Sequence, residues 1–455
     1  MFNVTRPIKA LSDLVKRCIR HDGGSVGIIV AISVVPLMLA SGLAVDLSRA
    51  YLVQSRLAHS LDAAGLAVGS MRSNSTSTTY LENQFNKFFT ANYSDGEIGA
   101  AHDLTFVDNG GIISVSGKAT VDTIFMRIVG INTVTVGSSA EIKVETQGLE
   151  LVMVLDNTGS MGSGGKLGSL KTASLDLIDI LFQGDNFPDF VKVGLVPFSG
   201  SVNIGSSNTW YTTSTSAFDW GPTDWDGCVE ARAYPHDVQD TDTGTGGDWT
   251  PLYWADHDSY NNWDRGSWYS IDYSPPSSKG PNKECPRPVT PLTNDRAHLV
   301  DELNAMWASG YTHINYGAVW GWRVISPSAP FTEGANYGDP EWHKAVIILT
   351  DGANTTSNSH YTAFGYRSEG RLGSTTSTGT TAALNTKTAE VCENMKAQGI
   401  TVYTITFNVS SVSTQNLFRT CASSPDRYFN SPDSQTLTLA FRAIGAELKN
   451  LHLSK

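Results

Sequence analysis

The chain has 455 residues, a formal net charge of −12 and no basic stripe, which argues against nucleic acid as a partner. Its length leaves room for one large domain of roughly 250 to 300 residues with smaller pieces beside it. Cys18 stands apart from four later cysteines, Cys228, Cys285, Cys392 and Cys421, an even number that suits an oxidising compartment.

Residues 1–23 carry Arg6, Lys9, Lys16, Arg17 and Arg20 against Asp13 and Asp22. Residues 24–45 then run without a charge, long enough at ~1.5 Å per residue to cross about 30 Å of hydrocarbon. The basic residues in front predict a cytoplasmic amino terminus, a single span in the inner membrane, and everything after residue 46 in the periplasm. A cleaved signal peptide is the competing reading, with Ala40, Gly42 and Ala44 as the small residues of a cleavage site. The apolar run exceeds a usual signal core, and helical spacing continues through Leu43, Leu47, Tyr51, Gln54, Leu57, Leu61 and Ala64. Both features favour a retained transmembrane helix continued by a juxtamembrane helix over 46–70. Gly23, Gly24 and Ser25 precede the span as a prepilin cleavage site would, but Ile29 stands where a pilin carries glutamate, so the chain is not itself a pilin.

Residues 71–147 begin polar, with SNSTSTT at 73–79, and then become rich in β formers. The stretches IISVSGKATVDTIFMRIV and VTVGSSAEIKVE alternate Val, Thr and Ile with polar residues, as half-buried strands do. They predict a small β-rich stalk; the alternative is that these strands join the sheet of the main domain.

The main domain occupies 148–450. Its first strand, about 149–155, ends on Asp156, followed by Thr158 and Ser160 in a loop with Gly159 and Gly162. A helix with Leu167, Leu170, Ser174, Leu177, Ile178 and Leu181 on one side follows, then the strand VKVGLVPFS at 191–199. Leu299, Val300, Leu303, Met306 and Trp307 mark a helical face that stops at Gly310, with Thr312 in the next turn. The apolar strand KAVIILT ends on Asp351. A helix around 384–398, the strand TVYTITFNV and a last helix with Leu437, Phe441, Ile444 and Leu448 complete the alternation. This order predicts a doubly wound α/β sandwich with parallel strands, whose carboxyl edge is the ligand edge. Carboxylate and hydroxyl oxygens gathered there suit Mg²⁺, Mn²⁺ or Ca²⁺ rather than Zn²⁺.

Two interruptions break the pattern. Residues 205–290 hold Trp210, Trp220, Trp225, Trp249, Trp254, Trp263 and Trp268 among many aspartates, and read either as a recognition surface or as the small core of an insertion. The acid spacing of DTDTGTGGD at 240–248 is loosely that of a calcium loop, with its glycines misplaced. The Ser/Thr/Gly-rich segment 357–381 reads as a mobile loop. The four later cysteines allow three connectivities; Cys228 with Cys285 would staple the insertion, and Cys392 with Cys421 would tie a helix to the segment after the next strand.

The Asp156/Thr158/Ser160 loop, Thr312 and Asp351 together resemble the von Willebrand factor type A (vWA) domain and its metal-ion-dependent adhesion site (MIDAS). The resemblance implies that these five residues hold one divalent cation, Mg²⁺ first, with an open position that a partner's carboxylate fills. Thr158 departs from the usual serine but keeps the hydroxyl. At the other end, the glycine-bearing start, Gly42, Val45 and Asp46 at the end of the span, and Asp62-Ala63-Ala64 beyond it resemble TadE/TadG-like proteins of Tad (Flp) pilus assembly. The two resemblances together point to TadG-like members, and imply a membrane-anchored assembly or anchoring factor that binds an acidic pilus or envelope partner. A tethered adhesin for an extracellular protein or glycan is the alternative.

An enzyme is not expected. A nucleophile elbow needs glycine two residues before Ser160, where Thr158 stands, and His298, His313 and His343 lack the spacing of a base or zinc site.

Overall fold

A single helix, α1 (Ser25–Arg72), contains both the expected span and the expected juxtamembrane helix. The protein is described by a computed structural model covering residues 25–453 apart from 73–77, 94–97, 110–111, 144–146, 222, 256–259, 262, 264–270 and 273–276. The expected cytoplasmic tail, with Cys18, and Trp268 lie outside the described residues. The chain divides into two units, Met1–Glu145 and Thr146–Lys455.

In the first unit, 48 residues at ~1.5 Å each make α1 about 70 Å long, more than twice the thickness of a bilayer core. Its character changes along its length. Residues 29–41 are exposed on every side, whereas Gly42, Asp46, Ala50, Val53, Leu57, Leu61, Ala64 and Val68 form a buried stripe. Leu57, Leu61 and Ala64 of the helical spacing read from sequence lie on this stripe, whereas Leu43, Leu47 and Tyr51 are exposed; there the small residues Gly42 and Ala50 set the packed face because they let a neighbour approach.

That neighbour is an antiparallel sheet of β1 (Ala100–Asp108), β2 (Ile112–Asp122) and β3 (Thr133–Lys143), with α2 (Thr78–Asn92) closing the core through Leu81, Phe85 and Phe89. β2 turns Ile113, Val115, Ala119 and Val121 inward with a period of two. Each large aliphatic side chain so buried contributes roughly 1.5 to 3 kcal/mol. The strands form their own three-stranded sheet. The alternation read through residue 129 stops at Asp122, however, because Met126–Val129 is a 3-10 turn.

The second unit is built on a sheet of order β11-β10-β9-β4-β5-β6-β7, with β8 also on β5. Its strands are β4 (Gly148–Asp156), β5 (Val191–Phe198), β6 (Val202–Asn203), β7 (Cys228–Val229), β8 (Thr290–Thr293), β9 (Trp342–Thr350), β10 (Thr401–Phe407) and β11 (Tyr428–Ser431). The pairs β11–β10, β10–β9, β9–β4 and β4–β5 are parallel; β6, β7 and β8 are antiparallel additions. β4 is buried throughout, since helices cover both faces. Leu149, Leu151, Met153 and Leu155 pack under α3 (Lys166–Phe182) and α8 (Ser434–Leu453), while Val152 and Val154 face α5 (Ile314–Ile325) and α6 (Ser377–Ala397). The doubly wound expectation is met.

α5 lies close on the sheet because Gly317 and Gly321, one turn apart, leave no Cβ. A Cβ at Gly317 would sit 2.5 Å from the Phe198 ring, and one at Gly321 2.3 Å from Val154 Cγ2. Glu150 is the one acidic side chain inside β4's run; fully buried, it accepts from Lys344 Nζ, from Lys192 Nζ at 3.2 Å and from Ala335 N at 2.9 Å.

Most of the described tryptophans of the long insertion are buried in its core. Trp225, Trp249, Trp254 and Trp263 are buried, while Trp210 is 89% exposed. Trp249 lies 5.0 Å from Trp320 of α5, ring centre to ring centre, with Arg232 over its face at 4.1 Å. Buried Arg323 donates to His236 O and Gln239 O at 2.7 and 3.1 Å, fastening the insertion to α5. Both expected disulfides are present, Cys228–Cys285 and Cys392–Cys421, with Cα separations of 5.8 and 5.2 Å.

Segments 240–248 and 357–381 differ from their sequence readings. Asp242 caps a single helical turn by accepting from Thr245 N, and Asp240 accepts from the Tyr337 hydroxyl at 2.5 Å, so both acids serve the fold. In 357–381, Ala363 and Phe364 pack into the core on the α5 side, and α6 begins at Ser377. The helix read through Trp307 is α4 (Arg296–Asn304); it ends before Met306, and Gly310 turns with φ of 82°.

Candidate metal centre

β4 and β9 are adjacent parallel strands in register to Leu155 and Leu349, so Asp156 comes out beside Thr350, with Asp351 the next residue at the same edge. β5 continues from β4 on the other side, so Asp156 sits where the chain departs from the sheet in both directions, the usual ligand crevice of such folds.

Four of the five expected residues form one connected group. Asp156 accepts from Thr158 N at 2.8 Å and from Thr350 Oγ1 at 2.6 Å. The Thr158 and Ser160 hydroxyls are 3.0 Å apart, and Ser160 Oγ donates to Asp351 Oδ1 at 2.5 Å. The fifth, Thr312, lies one turn beyond Gly310, whose carbonyl accepts from Gly159 N at 3.0 Å. Among the described residues, no hydrogen bond joins the Thr312 hydroxyl to the other four; its backbone pairs with Thr355.

Several residues at this edge carry no sequence signal of their own. Lys166 Nζ lies 2.7 Å from Asp351 Oδ2. Asn157 ties the first loop to the second by donating to Trp307 O at 2.8 Å, and Asn354 accepts from Ile314 N at 2.7 Å at the start of α5. Their importance comes from which loops meet, and the only available hint was their nearness to Asp156 and Asp351.

Electrostatically the group is short of positive charge. Burial, then the neighbouring Asp351 carboxylate, raises Asp156 to about 6 despite the hydrogen bonds it accepts. Two carboxylates and three hydroxyls make an all-oxygen donor set, and the strain of placing two acids together in a buried site is what a divalent cation relieves. The residues fit such an ion. No group of three or more His, Cys, Asp or Glu that could hold a metal ion occurs among the described residues, so any ion at this edge would draw its other protein donors from hydroxyls. His313 next to Thr312 is fully buried with neither ring nitrogen bonded, and burial pushes it down to about 4.

The sheet is a doubly wound sandwich that delivers Asp156 and Asp351 to one edge, with Thr158 and Ser160 between them, an arrangement similar to that of a vWA domain. At the amino-terminal helix, residues 24–71 match the family described as putative Flp pilus-assembly TadE/G-like. No curated protein matches the chain. Among solved structures, it is similar to the pilus adhesin SpaC from Lactobacillus rhamnosus GG at 11% identity and a TM-score of 0.37, over 79% of this chain and 36% of that one. It is also similar to the vWF domain of the type V pili tip protein Mfa5 from Porphyromonas gingivalis, at 11% identity and a TM-score of 0.38, over 68% of this chain and 97% of that one. A von Willebrand factor type A protein from Catenulispora acidiphila gives 13% identity and a TM-score of 0.32, over 79% and 52% of the two chains. The chain thus spans about a third of the SpaC length.

Proposed function

We propose that this protein is a non-catalytic assembly or anchoring factor of a Tad (Flp) pilus, held in the inner membrane by α1 with residues after 46 in the periplasm. Asp156, Thr158, Ser160, Thr312 and Asp351 would hold one divalent cation, Mg²⁺ or, in its place, Mn²⁺ or Ca²⁺. The cation supplies a hard positive charge with an open position, and an acidic side chain of a pilus or envelope partner fills it. The observation that carries this reading is the linkage of Asp156 to Asp351 through Thr158 and Ser160 at one sheet edge. The TadE/G-like match of residues 24–71 supports the pilus setting. Tethering would raise the effective concentration of the site at the membrane where pili are built.

The test joins binding to phenotype. Full chain in detergent is titrated with Mg²⁺ and Mn²⁺ by calorimetry, and Asp156→Ala should abolish the heat of binding. A deletion strain should lose pili, and Asp156→Ala should weaken piliation at unchanged protein level and membrane location. Normal pili with loss of attachment to one extracellular protein or glycan would instead select the tethered adhesin.

A further inference from the structure

The turn between β2 and β3 has the wrong chemistry for a solvent loop. Residues 124–131 read IFMRIVGI, with Arg127 the single charge. Ile124, Phe125, Ile128, Val129 and Ile131 are exposed, Ile128 at 74% and Val129 at 59%. A water-facing hairpin turn is ordinarily polar and glycine-rich, and a contiguous apolar tip marks a surface that something covers.

Its position along α1 says what covers it. Phe125 lies against Gly42, where a Cβ would come within 2.5 Å of its own Cβ. Phe125 and Ile128 line an apolar groove of about 510 Å³ with Val34, Leu37, Met38, Gly42 and Val45. The turn therefore descends beside the uncharged stretch of α1, roughly 12 Å below Asp46 at ~1.5 Å per residue. Exposed apolar surface on α1 also continues above that level, through Leu47, Tyr51 and Leu52.

Seven backbone donors of residues 123–131 are satisfied within the protein, as hydrocarbon demands of polar groups placed in it. Asp46 accepts from Ile124 N, Phe125 N and Met126 N at 2.9, 2.9 and 2.7 Å. Ile128 N, Gly130 N and Ile131 N donate to Phe125 O, Arg127 O and Met126 O at 3.1 Å each, and Thr123 N donates to Asn132 O at 3.0 Å. The one acid at this level of α1 has only 1% of its side chain exposed, turned to these donors and to Arg49 Nη1 at 4.0 Å. Arg127, exposed and long, can reach a phosphate headgroup.

We propose that the turn 124–131 inserts into the leaflet facing residues 46–145, beside α1, with lipid acyl chains filling the groove between Ile128 and Leu37. The insertion gives the anchor a second point of hold, which fixes its rotation and depth as a lone helix cannot. It rests on the reading of α1 as a membrane span, and the test separates the two.

Full-length protein with Cys18→Ser is reconstituted in phosphatidylethanolamine/phosphatidylglycerol liposomes, carrying one nitroxide at Cys introduced for Ile128, Leu37 or Val107. All three positions are exposed, so labelling leaves the core intact. Oxygen and a water-soluble nickel chelate report lipid and water. Ile128 and Leu37 should both be several-fold less accessible to nickel than Val107 and more accessible to oxygen. Nickel access at Ile128 equal to Val107, with Leu37 protected, would overturn the insertion and leave the span standing. Protection of Ile128 from both reagents would overturn it in favour of a protein contact, and nickel access at Leu37 would overturn span and insertion together.

Discussion

Lys166 Nζ lies 2.7 Å from Asp351 Oδ2, on a carboxylate whose side chain is fully buried. The ammonium supplies part of the positive charge that the acidic edge lacks, so it would compete with a divalent ion for the same oxygen. Lys166→Ala should therefore tighten Mg²⁺ binding about five- to tenfold, roughly 1 to 1.4 kcal/mol, read by calorimetry. Without metal the same variant should be less stable by about 1 to 3 kcal/mol, since one partner of a largely buried pair is gone. Weaker Mg²⁺ binding would mean that Lys166 positions Asp351 instead.

The outline of this edge was legible because β4 is an apolar run that ends on an acid and β9 is one followed directly by an acid, and parallel strands deliver such ends to one side. Lys166 and Thr350 were not, because their roles depend on which oxygen each one meets. In the first unit, the helical spacing through Leu43, Leu47 and Tyr51 showed that the helix continues, yet the packed face at that level is Gly42, Asp46 and Ala50. Periodicity finds apolar stripes, whereas here close approach and a buried carboxylate decide. The tryptophans of the insertion could be counted in the sequence, but only the seating of Trp249 against Trp320 and Arg232 shows them as core.

Thr158 is buried, with its hydroxyl 3.0 Å from Ser160 Oγ. Thr158→Ser keeps that oxygen and should leave divalent-ion affinity within about threefold. Thr158→Val matches its volume without the oxygen and should lower affinity at least tenfold, about 1.4 kcal/mol or more. Equal affinity of the two variants would remove Thr158 from the ligand set.

The disulfides should differ in what they protect. Sequence separations of 57 and 29 give about 4 and about 3.5 kcal/mol in the chain-entropy model. Replacing Cys228 and Cys285 by serine should first expose the insertion 205–290 to protease, since the bridge closes that segment. Replacing Cys392 and Cys421, which sit at α6 and at the end of α7 (Val412–Cys421), should lower the melting temperature of the whole second unit. Proteolytic mapping and calorimetric melts of both double variants distinguish the two patterns.

Asp46 closes the first unit by taking three backbone donors of the β2–β3 turn onto one carboxylate. Asp46→Ala leaves all three unpaired, and since each such loss is worth about 1 to 3 kcal/mol when water is excluded, the turn should detach from α1. Asp46→Asn retains one acceptor oxygen and should be intermediate. Arg127 then serves as the reporter: trypsin should cut after it at least tenfold faster in the alanine variant than in wild type, with asparagine between. Equal rates in all three proteins would show that the Phe125 contact at Gly42, and not the carboxylate, holds the turn in place.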